Sequence, residues 1–198
     1  LGTWTELQML FAALIAAPGG SIREGVVGTP HLVNPLFASA EADRDLVHLI
    51  YAGLMKSDGG GGLETVLAAN YTISEDGLIY EFTLRDRLTW HDGEPVTAED
   101  VAFTIQAAKN PAIKSPLRAN WEGVQVDVVN DSKIRFALKK PYAPFLENMT
   151  MGILPRHIWK NATTEQFGLS EYNRHAIGAG PYRVRSIQQN TAGIITNY

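Results

Sequence analysis

Cysteine is absent from the 198 residues, which removes disulfide staples, thiol nucleophiles and cysteine-based zinc sites together. Basic tracts are missing as well. The longest Lys/Arg run is Lys139-Lys140 and the net charge is −4, so no nucleic-acid surface is expected. Long apolar runs are also lacking: "LQMLFAALIAA", residues 7–17, falls short of the ~20 residues that a bilayer span requires. With no basic stretch before it, this run reads either as the remnant of a signal peptide or anchor, or as a short buried helix. Catalytic signatures are equally scarce. There is no G-x-S-x-G, the run Gly59–Gly62 has no G-K-[ST] ending, and "IGAGPY" breaks the G-x-G-x-x-G spacing.

What is present is an ordinary globular composition, 45% hydrophobic and 19% charged, long enough for one large domain or two small ones. "SIREGVVGTP" reads as a strand closed by Gly28 and Pro30. "DRDLVHLIYAGLMK" reads as a helix with Leu46, Leu49, Ile50 and Leu54 on one face and Asp43 near its start. Gly59–Gly62 reads as a flexible surface turn and a seam between subdomains. Two hairpins follow. The first turns at Glu75-Asp76-Gly77, with Tyr80, Phe82 and Leu84 on its buried face. The second turns at Asn130-Asp131, with Val124, Val126 and Val128 facing Ile134, Phe136 and Leu138. Between them Val96 to Ala108 reads as a helix capped by Thr97, with Glu99 and Asp100 at its positive end. "PYAPFLENM" and "LPRHIW" suggest short helical turns, and "IGAGPYRVRSI" a glycine-broken strand. Antiparallel hairpins mixed with helices point to an α+β fold (mixed α/β).

The densest chemistry lies in "YEFTLRDRLTWHDGEPVTAEDVAFTI", Tyr80 to Ile105, where His91, Asp92 and Glu94 crowd together. His91 has no second histidine at ligand spacing, and Asp-Gly followed by Glu-Pro is turn chemistry, so the stretch reads as scaffold. The other four histidines, His31, His48, His157 and His175, are scattered. A metal-dependent hydrolase built on His91 remains as an alternative reading. Glycine- and proline-broken loops such as "GTPHLVNPLF" and "GAGPY" leave backbone groups available to a ligand.

In order, "REGVVGTPHLVNPLFA", "DRDLVHLIYAGLM", "YEFTLRDRLTWHDGEPVTAEDVAFTI", "PYAPFLENMTMGILPRHIW" and "IGAGPYRV" resemble the family 5 extracellular solute-binding proteins, the peptide- and nickel-type receptors of ABC importers. The resemblance implies the N-terminal part of a two-lobed periplasmic-binding-protein-like fold that clamps ligand between its lobes without catalysis, cofactor or resident metal. Mapped onto this sequence it implies an N-terminal apolar segment over 1–20, a first part of lobe I over 21–55, an inserted α/β subdomain over 56–170 and a return to lobe I over 171–198, with the second lobe missing. The ligand-contacting positions it implies are Thr29, Pro30, His31, Asn34, Pro35, Gly180, Pro181 and Tyr182, and more loosely Arg118 and Trp121. The Tyr80–Ile105 stretch would sit away from the cleft. The expected function is extracytoplasmic binding of peptides or another small solute for delivery to ABC permease subunits, with either an anchored or a free N-terminus. The alternative outside transport is a peptide-binding interaction module.

Overall fold

The computed structural model describes Gly28, Pro30, residues 32–191 and the backbone of residues 195–197. The expected strand over 22–27 and the apolar run at 7–17 lie outside the described residues. The first helix, α1, is Glu41–Ile50, and it buries Ala42, Leu46, Val47 and Ile50. It ends where Tyr51 turns extended, so Leu54 packs beyond the helix and Leu49 remains 38% exposed. The expected apolar face is therefore rotated toward Val47. Asp43 is buried and accepts the Leu32 N–H at 3.2 Å.

The strands β1 (Met55–Ser57) and β2 (Leu63–Thr65) pair antiparallel around the glycine run. Asp58 organises this loop, its Oδ1 accepting the N–H groups of Gly60 at 2.7 Å and Gly62 at 2.9 Å. The four glycines thus form a hairpin tip. A four-stranded antiparallel sheet follows, built from β3 (Ala68–Ile73), β4 (Ile79–Leu84), β5 (Gln125–Asn130) and β6 (Lys133–Ala137) in the order β3-β4-β6-β5. Both tight turns use the side chains that their sequences promise. Asp76 accepts the Leu78 N–H at 3.0 Å, and Asn130 accepts the Ser132 N–H at 3.0 Å.

Alternation gives the sheet two faces. Tyr80, Phe82, Leu84, Ile134 and Phe136 are buried, whereas Glu81 on the other face pairs with Lys133 at 3.0 Å and Arg135 at 2.9 Å. The buried face carries an aromatic cluster: Phe136 lies 5.7 Å from Phe82 and 5.9 Å from Phe145, and Tyr80 lies 4.8 Å from Phe145, between ring centroids. Fully burying a side chain of this kind contributes ~1.5–3 kcal/mol. Helix α2, Ala98–Lys109, packs across β5 and β6 and buries Val101, Ile105 and Ala108.

The sequence motif around α2 is a clasp. Asp100 Oδ2 accepts the Thr97 N–H at 2.8 Å and its hydroxyl at 3.1 Å, while Oδ1 accepts the Arg156 N–H at 2.8 Å. One turn on, buried Thr104 donates to the Asp100 carbonyl at 2.7 Å and accepts from the Leu154 N–H at 2.9 Å. These two side chains fasten α2 to the segment that enters α3, Arg156–Trp159, and then α4, Thr164–Leu169. Between β6 and α3 the chain makes a 3-10 helix over Ala143–Thr150 anchored by buried Phe145 and Met149. Buried side chains from Val33 to Ala176 form one hydrophobic cluster among the described residues.

The "IGAGPY" segment differs from the expectation of a strand. Among the described residues, 177–182 pair with no strand; they run as an extended strap whose Gly180 and Tyr182 N–H groups donate to the carbonyls of Ile50 at 2.8 Å and Leu49 at 3.0 Å. The open carbonyls of the last turn of α1 thus take the place of a sheet partner. Farther on, β7 (Gln188–Gln189) pairs with β8 (Ile195–Asn197).

Candidate binding cleft

A cleft of about 850 Å³ opens along α1. The helix has two working faces. While one packs into the core, positions 44, 47 and 48 follow the i, i+3, i+4 rule and bring Arg44, Val47 and His48 to the cleft, joined by Tyr51 just past the helix end. The chain leaving α1 forms the floor through Ala52, Gly53 and Met55. Here the backbones come close: a Cβ on Gly53 would meet the Met149 carbonyl oxygen at 2.6 Å, so only glycine fits. The Ile153 N–H donates to the Ala52 carbonyl at 3.0 Å and fixes this approach.

The 3-10 turn Arg118–Trp121 and the segment 147–152 supply further lining, and the Asn148 amide donates to the Asn120 carbonyl at 3.1 Å to join the two. Trp121 is 2% exposed and packed into the aromatic cluster, edge-on to Phe145 at 6.1 Å and tilted against Phe136 at 6.3 Å. It is a core residue whose edge also lines the cleft. The strap closes the lining through Ala179, Gly180 and Pro181. The lining thus combines apolar side chains with polar and backbone groups.

Of the positions expected to meet ligand, Pro35, Trp121, Gly180 and Pro181 come together in this cleft. Asn34 does not line it. Its buried side chain donates to Asn173 Oδ1 at 2.9 Å and accepts from the Leu36 N–H at 2.9 Å, fixing the Pro35 loop from behind. Arg118 and Tyr182 are exposed outside the lining, and Pro30 is half-buried. Thr29 and His31 lie outside the described residues. Reading the residues missed Arg44, His48, Tyr51 and Asn148. The first two carry a signal in the helical spacing of α1, whereas Tyr51, past the helix end, and Asn148, on a distant loop, become lining residues only through the tertiary fold.

No residue of the Tyr80–Ile105 stretch lines the cleft, yet His91 reaches its wall. The Gly178 N–H donates to His91 Nδ1 at 3.3 Å, so the ring proton is on Nε2, 2.9 Å from the Gly180 carbonyl. The His91 N–H also donates to the Gly178 carbonyl at 2.9 Å. His91 is a staple that holds the strap, with both ring nitrogens engaged. Asp92 lies 2.8 Å from the His157 ring. Burial works against the charge on Asp92, but hydrogen bonds from His157 and the Glu94 N–H outweigh it and hold the carboxyl below the usual carboxylate range. Among the described residues no cluster of three or more His, Asp or Glu side chains has the arrangement of a metal site.

Known proteins share this architecture. The structure of the oligopeptide-binding protein AppA from Bacillus subtilis, in complex with a nonapeptide, superposes with a TM-score of 0.78 at 28% identity, over 83% of this chain and 34% of that one. That of NikZ from Campylobacter jejuni, in complex with Ni(L-His), superposes with a TM-score of 0.70 at 35% identity, over 82% of this chain and 31% of that one. In sequence, AppA of Bacillus subtilis (strain 168) is 29% identical over 175 residues, 86% of this chain and 32% of its own length. The pattern of the bacterial extracellular solute-binding proteins, family 5 (Middle), matches residues 62–195. The chain belongs to that family, whose members bind solutes outside the cytoplasm. It spans about a third of the length of the curated relatives it matches. Among the described residues no helix is long and apolar enough to cross a membrane.

Proposed function

We propose that this chain binds peptides for import, as part of an extracytoplasmic receptor that presents its ligand to ABC permease subunits. The observation that carries the reading is the cleft of about 850 Å³ lined by apolar side chains together with amide and backbone groups. Such a lining suits a short peptide, whose main chain can bond to the polar groups while water fills the space around variable side chains. The oligopeptide named for AppA supports the same class of ligand. Pro35, Trp121, Gly180 and Pro181 are the contacts we assign, with Asn34 supporting the loop from behind. The chain acts by binding, without chemical transformation. In the organisation we propose, residues 21–55 and 171–198 belong to one lobe and 56–170 form a subdomain inserted into it.

The test is a titration of ¹⁵N-labelled protein with a tripeptide library, followed by amide shifts, with Ni(L-His) as a parallel ligand. Saturable shifts confined to residues around Tyr51, Asn148 and Gly180 with peptide are the expected result. Shifts with Ni(L-His) alone would move the assignment to a metal complex, and no localised shifts with either would reject the cleft as a solute site. Uptake in cells lacking the gene then separates a transport receptor from a peptide-binding interaction module.

A further inference from the structure

We propose that the cleft reads the carboxylate of its ligand through Arg44 and His48; the inference rests on the peptide-binding reading above. The two side chains stand one turn apart on α1, and both line the cleft beside Val47 and Tyr51. Arg44 Nη1 donates to the Ser39 carbonyl, which steadies the guanidinium while most of its five N–H donors stay available. No carboxylate among the described residues forms an ion pair with Arg44, although each of the other cations in ion pairs has its partner within 3.0 Å. Lys56, also in the lining, is one of these and is paired with Glu64 at 3.0 Å. Among the described residues Arg44 has no acidic partner, and a planar fork of this kind matches a carboxylate.

The end of a helix ordinarily repels anions, because its last carbonyls carry partial negative charge. Here the strap answers two of them: Ile50 accepts from Gly180 and Leu49 accepts from Tyr182, at 2.8 and 3.0 Å. That lowers the local cost of an anion beside His48. The other charge lining the cleft is Glu147, which is exposed on the segment 147–152. A wholly anionic ligand would meet it unfavourably. A ligand with one carboxylate and an apolar body, the C-terminal end of a short peptide, fits the lining better.

The test uses tripeptides drawn from Gly, Ala, Val, Leu and Phe, so that the terminal carboxylate is the sole anion, each made with a free C-terminus and as the C-terminal amide. Affinities come from the amide-shift titration. Amidation is expected to weaken binding about tenfold, equal to ~1.4 kcal/mol. Arg44→Gln is expected to weaken the free acids by a similar factor and to leave the amides nearly unchanged, with Arg44→Lys between. His48→Gln should show the same pattern with a smaller factor. Arg44 and His48 are exposed, so thermal melts of the variants should match the parent. If acids and amides bind the parent alike, or Arg44→Gln weakens both equally, the carboxylate assignment is overturned while the peptide reading stands. If no tripeptide binds in either form, the peptide reading fails and this inference goes with it.

Discussion

Replacing Gly178 by alanine should loosen the strap that walls the cleft. A Cβ built at this position would lie 2.0 Å from the Ile50 carbonyl oxygen and 2.7 Å from its carbon. Carbon–oxygen contacts settle near ~3.3 Å, so the strap would have to retreat by about 1 Å, and both atoms it meets are backbone with no rotamer to change. Overpacking of this kind costs ~1–3 kcal/mol. The retreat also stretches three hydrogen bonds, Gly180 to Ile50 at 2.8 Å, His91 to Gly178 at 2.9 Å and Gly178 to His91 at 3.3 Å. Each contributes ~0.5–1.5 kcal/mol, and partial loss brings the total to ~2–5 kcal/mol. For a chain of this length that corresponds to a fall in Tm of roughly 5–15 °C. The internal control is Gly168→Ala. That glycine lies in α4, and an added Cβ meets nothing within 4 Å, so the helix should gain ~0.5–1 kcal/mol. Urea and thermal unfolding of the two variants side by side give the comparison. Equal stability of Gly178→Ala and the parent would refute the claim that strap and helix are in contact through the glycine.

Thr104→Val keeps the shape of a buried side chain but strands the Leu154 N–H, which Thr104 accepts at 2.9 Å; a loss of ~1–3 kcal/mol in urea unfolding is expected, and a neutral outcome would mean the clasp between α2 and α3 carries no energy. Arg135 and Lys133 hydrogen-bond to Glu81 and hold its carboxyl below the usual range. A depressed folded-state pKa stabilises above the ordinary carboxylate range and is lost as pH falls through that range toward the folded value. Urea midpoints should therefore drop between about pH 5 and about pH 3, and the drop should be smaller in Glu81→Gln. An identical acid limb in the variant would remove Glu81 from the account.

Much of the architecture is written in local pattern. The hairpins were legible because alternation at Tyr80, Phe82 and Leu84 and at Ile134 and Phe136 fixes the face, while Asp76-Gly77 and Asn130 fix the turns. Helix α2 was legible because Thr97 and Asp100 have cap spacing, and the observed helix, Ala98–Lys109, begins right after Thr97. The strap was misread because its partners lie far along the chain. Local pattern read Gly59–Gly62 as a surface turn, and the run forms the tip of the β1–β2 hairpin, with Asp58 accepting two of its N–H groups. It made "IGAGPY" look like a strand, because glycines and alternation resemble one, whereas its hydrogen bonds go to the end of a helix more than a hundred residues earlier.

The sequence by itself determined the hairpins and their buried faces, helix α2 and, through the ordered set of motifs, the family. Those depend on spacing within a helix turn or a strand pair, which one stretch of chain contains in full. Tertiary structure decided the candidate cleft. Pro35, Tyr51, Trp121, Asn148 and Gly180 meet only because Gly53 lets two backbones touch and because His91 and the open carbonyls of α1 hold the strap across the cleft. The "HDGE" stretch shows the division plainly: its turn is local chemistry, but the work of His91 depends on Gly178 and Gly180, residues that no local spacing connects to it.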